Sequence, residues 1–335
     1  MAVSVKDVAA LAGVSVGTVS NVMNQPAKVS AQTVQRVQQA IAQLGFVRND
    51  AARQLRAGRS RAIGLIVLDV RNPFFTELAR GAEDRASESG HSLILGNSDE
   101  RTDREATYLD LFDEQRMHGI LISPHGDITA RLHRLRDRGI PVVLVDRTSA
   151  DESFSSVSVD DIAGGSLAVG HLIEQGRTRI AFVGGPQSIR QVTDRLEGAR
   201  RVVAEHPDVR LETIETNALS VVEGRAAGAA LLERPVAERP DAVFAANDLI
   251  AMGVLQALNM QGSLHVPRDV ALIGYDDIEF GESSLIPLTS IRAPHEGFGF
   301  AAVDLLVNEM ADEPADIAKH MVFQPELVVR ASTRG

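Results

Sequence analysis

Residues 5–25 run VKDVAALAGVSVGTVSNVMNQ, and their punctuation is that of two short helices around a glycine turn. Ser4 followed three residues later by Asp7 resembles a capping box. Val5, Val8 and Ala9 then mark one face of a helix that ends at Leu11–Ala12. Gly13 supplies the turn, Ser15 caps a second helix, and Thr18, Val19, Val22 and Met23 follow in it. Ser30 opens a third helix, with Val34, Val37, Ile41 and Leu44 at three- and four-residue spacing and Gly45 just past its end. Small Ala9 beside Gly13 lets two helices cross closely. The expectation is a three-helix helix-turn-helix, whose second helix enters a major groove. Residues 13–17, GVSVG, also fit the G-x-S-x-G elbow of hydrolases. That elbow needs a strand before its serine, whereas the preceding VAALA has a helical pattern.

Charge divides the chain at the same place. Residues 1–60 carry seven basic side chains (Lys6, Lys28, Arg36, Arg48, Arg53, Arg56, Arg59) against Asp7 and Asp50, a net +5. The whole chain is −11, so the other 275 residues hold −16. A basic head on an acidic body suits a polyanion at the head, although a surplus of five also merely solvates a small domain. At 335 residues the chain is long enough for two or three domains. It has no cysteine, which excludes disulfides, thiolate catalysis and cysteine-ligated metal. No apolar run approaches the roughly 18–20 residues of a membrane span. The N-terminus has neither a basic n-region nor an uninterrupted apolar stretch, so no signal peptide and a cytoplasmic location are expected.

From residue 61 apolar runs alternate with amphipathic helical patterns. The runs are AIGLIVLDV, HSLILGN, GILIS, PVVLVD, IAFVGG, AVFAAN and VALIGYDD. This is βαβ alternation, and seven strands over some 230 residues fit two doubly wound parallel sheets better than one. Ligands of such sheets lie beyond the carboxyl ends of the strands. The residues found there are Asn72, Phe74 and Phe75, then Asp146 and Arg147, Arg195, Asn247, and Asp276. Carboxylates, amides and guanidiniums with adjacent phenylalanines suit a small polyol. Simpler roles stay open for several of them: Asn72 as a helix cap, Phe74 or Phe75 as core, Arg195 as a surface residue. Asp248 reads as a helix cap and Asp277 as structural, so neither is placed in the site.

The head motifs D-V-A-x-x-A-G-V-S, T-V-S-x-V-x-N, V-S-x-x-T and L-G-F, with the A-R-x-L segment, resemble the lactose-repressor (LacI/GalR) family in order and spacing. So do V-x-x-x-N-P-F-F, V-D-R, A-N-D-x-x-A-M-G and G-Y-D-D in the body, so the resemblance covers essentially the whole chain. It implies a headpiece over 1–48, a hinge helix over 49–60 and a periplasmic-binding-protein-like effector domain over 61–331. Within that domain, about 61–161 plus 294–321 would form one subdomain, and about 162–290 plus 322–331 the other. In the family, Val16, Gly17 and Asn21 face base edges. Ser15, Thr18, Ser20, Asn24, Ser30 and Thr33 lie toward the DNA backbone or support the helix. Leu55, with Ala52 beside it and Arg56 after it, matches the hinge leucine that wedges into the minor groove. Read without the family, the same segment is a basic linker whose Leu55 docks on the body.

The resemblance also implies a palindromic operator, a homodimer, and a small-molecule effector touching Asn72, Phe74, Phe75, Asp146, Arg147, Arg195, Asn247 and Asp276. That set is nearest to ribose-type sites. Three departures change which hydroxyls are read: Leu219 stands where many relatives carry an aromatic lid, Ala293 where a glutamine often completes the site, and Asp161 where an amide is usual. The expected function is a ligand-regulated transcriptional regulator that is not an enzyme and needs no cofactor or metal. The alternative effectors are a nucleoside, a purine, a phosphorylated compound or a phosphoprotein corepressor. A transport binding protein would have a signal peptide and no DNA head. An enzyme on this body would need a nucleotide loop or paired metal ligands, and the sequence has neither.

Overall fold

The computed structural model describes residues 3–46, 60–149, 151, 153–260, 264–310 and 318–334, apart from the side chain of Glu296. The chain divides into two compact units, Met1–Arg59 and Ser60–Gly335. The hinge residues Ala52, Leu55 and Arg56 lie outside the described residues.

In the first unit, α1 (Val5–Ala12), α2 (Val16–Asn24) and α3 (Ala31–Leu44) enclose a core of Val8, Ala9, Ala12, Val19, Val22, Val37 and Ala40. Each boundary has a local cause. The Asp7 carboxylate accepts from both the Ser4 N–H (2.8 Å) and the Ser4 hydroxyl (2.7 Å). Ser15 Oγ accepts from the Thr18 N–H at 3.1 Å, and Ser30 Oγ from the Thr33 N–H at 3.4 Å. Gly13 (φ +64°) and Gly45 (φ +59°) end α1 and α3 in the left-handed conformation. A helix, not a strand, precedes Ser15, so the hydrolase elbow is absent.

The second unit contains two six-stranded sheets. One has the order β11-β5-β4-β3-β1-β2, from β1 (Ala62–Val67), β2 (Ser92–Asn97), β3 (Gly119–Ile122), β4 (Val142–Val145), β5 (Ser156–Val159) and β11 (His320–Phe323). The other has the order β12-β10-β9-β8-β6-β7, from β6 (Arg179–Val183), β7 (Arg210–Ile214), β8 (Ala242–Ala245), β9 (Ala271–Asp276), β10 (Thr289–Arg292) and β12 (Glu326–Val328). All pairings are parallel except β10 with β12. Helices α4 (Pro73–Glu88), α5 (Thr102–Glu114), α6 (Thr129–Asp137) and α12 (His295–Glu309) belong to the first lobe. Helices α7 (Asp161–Glu174), α8 (Arg190–Ala204), α9 (Val221–Glu233), α10 (Asp248–Met260) and the short α11 (Glu279–Glu282) belong to the second. Because β11 pairs with β5 through Phe323, the chain returns to the second lobe after residue 323, two residues later than the expected 321. Among the described residues no helix is long and apolar enough to cross a membrane.

Candidate functional site: a DNA-facing helix and an effector cleft

On α2 the buried side chains are Val19 and Val22, while Val16, Gly17, Asn21 and Asn24 are exposed and Ser20 is half-buried. The helical period puts residues 16, 17, 20, 21 and 24 on one solvent face. Val16 is 42% exposed, an apolar side chain offered to water. An added Cβ at Gly17 would meet only Ser15 Oγ, at an ordinary 3.6 Å. Nothing inside the head therefore requires glycine there, although glycine weakens a helix by up to about 1 kcal/mol. Asn24 Nδ2 donates to Ser20 Oγ at 3.2 Å, and Thr18 and Thr33 are held by their capping serines.

In the body, a small cavity lies between the lobes at the carboxyl ends of the strands. Asn72, Phe74, Phe75 and Asp146 line it from the first lobe, and Arg195, Asn247 and Asp276 from the second. Leu68, Asp69, Glu100, Ile189, Gln191 and Leu219 complete the wall. Seven of the eight effector residues expected from the sequence thus meet in one place. Arg147 does not: its Nη1 donates to the Gly126 carbonyl at 3.0 Å, which turns the guanidinium toward the loop after β3. Gln191, Asp69 and Glu100 were not anticipated. For Gln191 the available signal was its place four residues before Arg195 on the same helix.

Each polar side chain is held by its element. Asn72 caps α4, its Oδ1 accepting from the Phe74 N–H (3.1 Å), and its Nδ2 reaches across the cleft to Asp276 Oδ2 (2.9 Å). Asn72 thus caps α4 and at the same time lines the cavity. Asn247 caps α10 through Ile250 N–H (2.9 Å), and its buried Nδ2 has no partner among the described residues. Asp146 (φ +58°) and Asp276 (φ +97°) both sit in left-handed backbone, strain that concentrates at functional positions. Phe74 and Phe75 pack edge to face, with centroids 4.9 Å apart. Asp248, by contrast, accepts from Ile278 N–H (2.8 Å) and Ser290 Oγ (2.7 Å) and serves the fold. Asp277 pairs with Arg292 and Arg330, likewise outside the cavity.

Arg195 is the charge centre. Helices α7 and α8 approach closely because a Cβ on Gly165 would lie 2.0 Å from the Arg195 carbonyl, and one on Gly198 would lie 2.0 Å from that of Ile162. That approach sets Arg195 Nε 2.8 Å from Asp161 Oδ1, Nη1 2.7 Å from the Ala246 carbonyl, Nη2 3.7 Å from Asp276, and the guanidinium 3.5 Å above the Tyr275 ring. Burial by itself would lower the guanidinium's pKa, but Asp161, Tyr275 and Asp276 outweigh it and hold it raised. Burial pushes Asp146 well above the ordinary carboxylate range, and neighbouring Asp161 adds to the shift. Asp276 and Asp161 are also raised by burial, with Arg195 opposing.

Glu100 lies half-buried at the cavity edge. Burial, aided by Asp69, pushes its carboxyl from 4.5 up to about 7. A carboxyl raised in the folded state binds more protons there than in the unfolded chain, so stability falls as pH rises through that window. The Glu100→Gln variant should therefore lose part of the decline in thermal midpoint between pH 4.5 and about 7. Parallel pH–melting curves for the two proteins would remove this role from Glu100.

A helix-turn-helix head on the same chain as a two-lobed body with a polar cleft defines a class: DNA-binding regulators whose body takes a small ligand. Comparison with known proteins agrees. The pattern of bacterial regulatory proteins of the lacI family matches residues 4–49, and that of a periplasmic binding protein-like domain matches residues 169–333. The ribose operon repressor of Halalkalibacterium halodurans is 33% identical over 99% of this chain and 97% of its own. That of Escherichia coli is 35% identical over 98% of this chain and 99% of its own. Among solved structures, the lac repressor dimer bound to operator and the anti-inducer ONPF has TM-score 0.85 at 28% identity and covers 100% of both chains. A LacI family regulator from Enterococcus faecalis with bound ribose has TM-score 0.73 at 32% identity, covering 81% of this chain and 98% of its own. The chain belongs to the lacI family of bacterial regulatory proteins.

Proposed function

We propose that this chain is a cytoplasmic, dimeric repressor that binds a palindromic operator and responds to a small neutral sugar, ribose-like, held between the lobes. It carries out no catalytic step. The observation that carries the effector reading is the cavity wall: Asp146 and Asp276 as acceptors, the unpartnered Asn247 Nδ2 as donor, and Phe74 and Phe75 as the apolar side. Charge argues against the phosphorylated alternative. Four carboxylates line the cavity against a single guanidinium, which is already engaged by Asp161. A phosphate there would meet carboxyl oxygens in place of the free cation and donors that it needs. Ribose-operon relatives and a ribose-bound structure support a pentose.

On the head, the exposed face of α2 supports direct reading of bases. Asn21 suits adenine, Val16 a thymine methyl, and Gly17 a close approach of the backbone. Ser15, Thr18, Ser20, Asn24, Ser30 and Thr33 serve the phosphate side. The large exposed apolar side chains Phe280 and Leu285 support a partner surface on the body. Leu55 would enter the minor groove at the operator centre, with Ala52 and Arg56 beside it. Leu55→Ala should reduce both operator affinity and DNA bending while leaving ligand affinity alone. An unchanged bend angle in a circular-permutation gel assay would make Leu55 a linker residue.

The cavity is about 30 Å³, room for no more than about two waters, so the lobes must part to admit a sugar. Asn72–Asp276 and Gln191–Asp146 bridge the closed lobes and must yield to ligand hydroxyls. Ligand then biases closure, and closure biases the spacing of the two heads. The decisive experiment is Asp276→Ala. Loss of charge-assisted bonds worth about 1.5–3 kcal/mol each should weaken D-ribose by about tenfold to a hundredfold. Operator binding without ligand should persist, since the head is untouched. If the variant responds to sugar at the wild-type concentration, the effector site lies elsewhere.

A further inference from the structure

We propose that the body itself grips the DNA backbone, through a basic corner at the start of its first strand: Arg61 and Arg116, backed by His91 and His118. The proposal rests on the operator reading above and adds to it a phosphate contact from outside the head. The corner is the amino edge of the first lobe's sheet. Ser60 N–H donates to the Arg116 carbonyl (3.0 Å), His118 N–H to that of Ala62 (2.8 Å) and Ser92 N–H to that of Arg61 (3.1 Å). These bonds set the starts of β1, β2 and β3 side by side, with Arg116 in left-handed backbone, φ +48°. His118 Nδ1 donates to the Ser60 carbonyl at 3.0 Å, and its ring centroid lies 4.7 Å from that of His91. Arg61 and Arg116 are exposed, and neither guanidinium has a hydrogen-bond or ion-pair partner among the described residues.

The carboxylates nearest in sequence do not answer this charge. Glu88 pairs with Arg85 and Asp113 with Arg138, while Glu114 is exposed at the end of α5. Positive charge thus gathers on one corner of a body whose balance is −16. The crowding is felt inside the corner: after burial, His118 and Arg61 lower the pKa of His91. Arginines at strand starts also merely solvate a surface, but the second lobe's amino edge differs. There Arg177, Arg179, Arg234, Arg239 and Arg268 are all bonded to carboxylates or carbonyls. The two guanidiniums of the corner lack acceptors in the protein, and a duplex supplies them as phosphates. Reach allows it. Six residues of chain span at most about 20–22 Å, so Leu55 in a minor groove keeps Arg61 that close to the groove floor, and phosphates wall the groove on both sides.

The test compares the full chain with Arg61→Gln/Arg116→Gln and with a control, Arg210→Gln/Arg225→Gln, that removes two exposed arginines of the second lobe. Fluorescence anisotropy follows binding to an operator duplex selected in vitro from a random pool, and to a scrambled duplex of equal length, between about 50 and 200 mM salt. Two lost phosphate contacts should reduce the slope of log affinity on log salt by about 1.8 and weaken binding about tenfold to a hundredfold at about 100 mM salt. The loss should be equal on both duplexes, because a phosphate contact carries no sequence information, and the control should match wild type. An unchanged slope overturns the proposal. So does a loss confined to the operator duplex, which marks an effect on the head's fit to its site, or an equal loss in the control, which marks net charge alone. If wild type does not tell the two duplexes apart, the operator reading has failed, and the slope on either duplex still upholds or overturns the corner. Absence of any DNA binding overturns both.

Discussion

A chain that begins at Ser60 should lose operator binding by at least about a thousandfold, the usual gap between specific and non-specific affinity, while its sugar-induced thermal stabilisation stays at the full-length value. The ground is the division of the chain at Arg59–Ser60 into two compact units, each with its own apolar core. The head carries the positive surplus and the exposed face of α2, and the body is strongly acidic. Full-length affinity should in addition fall steeply with salt, because each neutralised phosphate releases counterions. Fluorescence anisotropy on an operator duplex at two salt concentrations measures both effects. Operator binding by the truncated chain within tenfold of full length would falsify the assignment of DNA recognition to the head.

Replacing Arg195 by Met should destabilise the body by about 3–5 kcal/mol, because it leaves Asp161 and Asp276 buried without their counter-charge. The thermal midpoint should drop on the order of 10 °C. The loss should be smaller at pH 5 than at pH 8. Acid protonates the abandoned carboxyls, whose pKa values burial already raises, and a neutral carboxyl no longer needs the guanidinium. Adding Asp161→Asn to Arg195→Met should recover part of the stability, since Asp161 is the nearer of the two carboxylates paired with Arg195, at 2.8 Å against 3.7 Å for Asp276. A pH-independent loss, or no recovery in the double variant, would mean that Arg195 acts through its stacking on Tyr275 and not through charge.

The head was legible almost residue by residue. Its helices are short, and each begins at a serine whose cap hydrogen bond spans three residues, so the signals are local. The seven apolar strand runs were legible for a related reason: central parallel strands are covered on both faces and read as continuous hydrophobic stretches. Among the strands missing from that reading, β7 and β12 are edges and β11 has His320, Met321 and Val322 exposed, whereas β5 and β10 are largely buried but are only four residues long and carry polar serine and threonine between their apolar residues.

The sequence by itself determined which residues end the strands, and in a parallel sheet all those ends share one side. Asn72, Asp146, Asn247 and Asp276 could therefore be gathered before any coordinates, though 204 residues separate the first from the last. Only the tertiary structure showed where side chains aim once they leave the strand end. Arg147 follows Asp146 directly yet turns away from the cavity to the Gly126 carbonyl. Gln191 enters the cavity because α8 packs against α7 at glycine distance and swings its first turn over Asp146. Spacing along the chain fixes the position of a Cα within an element. The direction of a flexible polar side chain is fixed by partners that come from other elements, and those partners are set only by the packing of the whole fold.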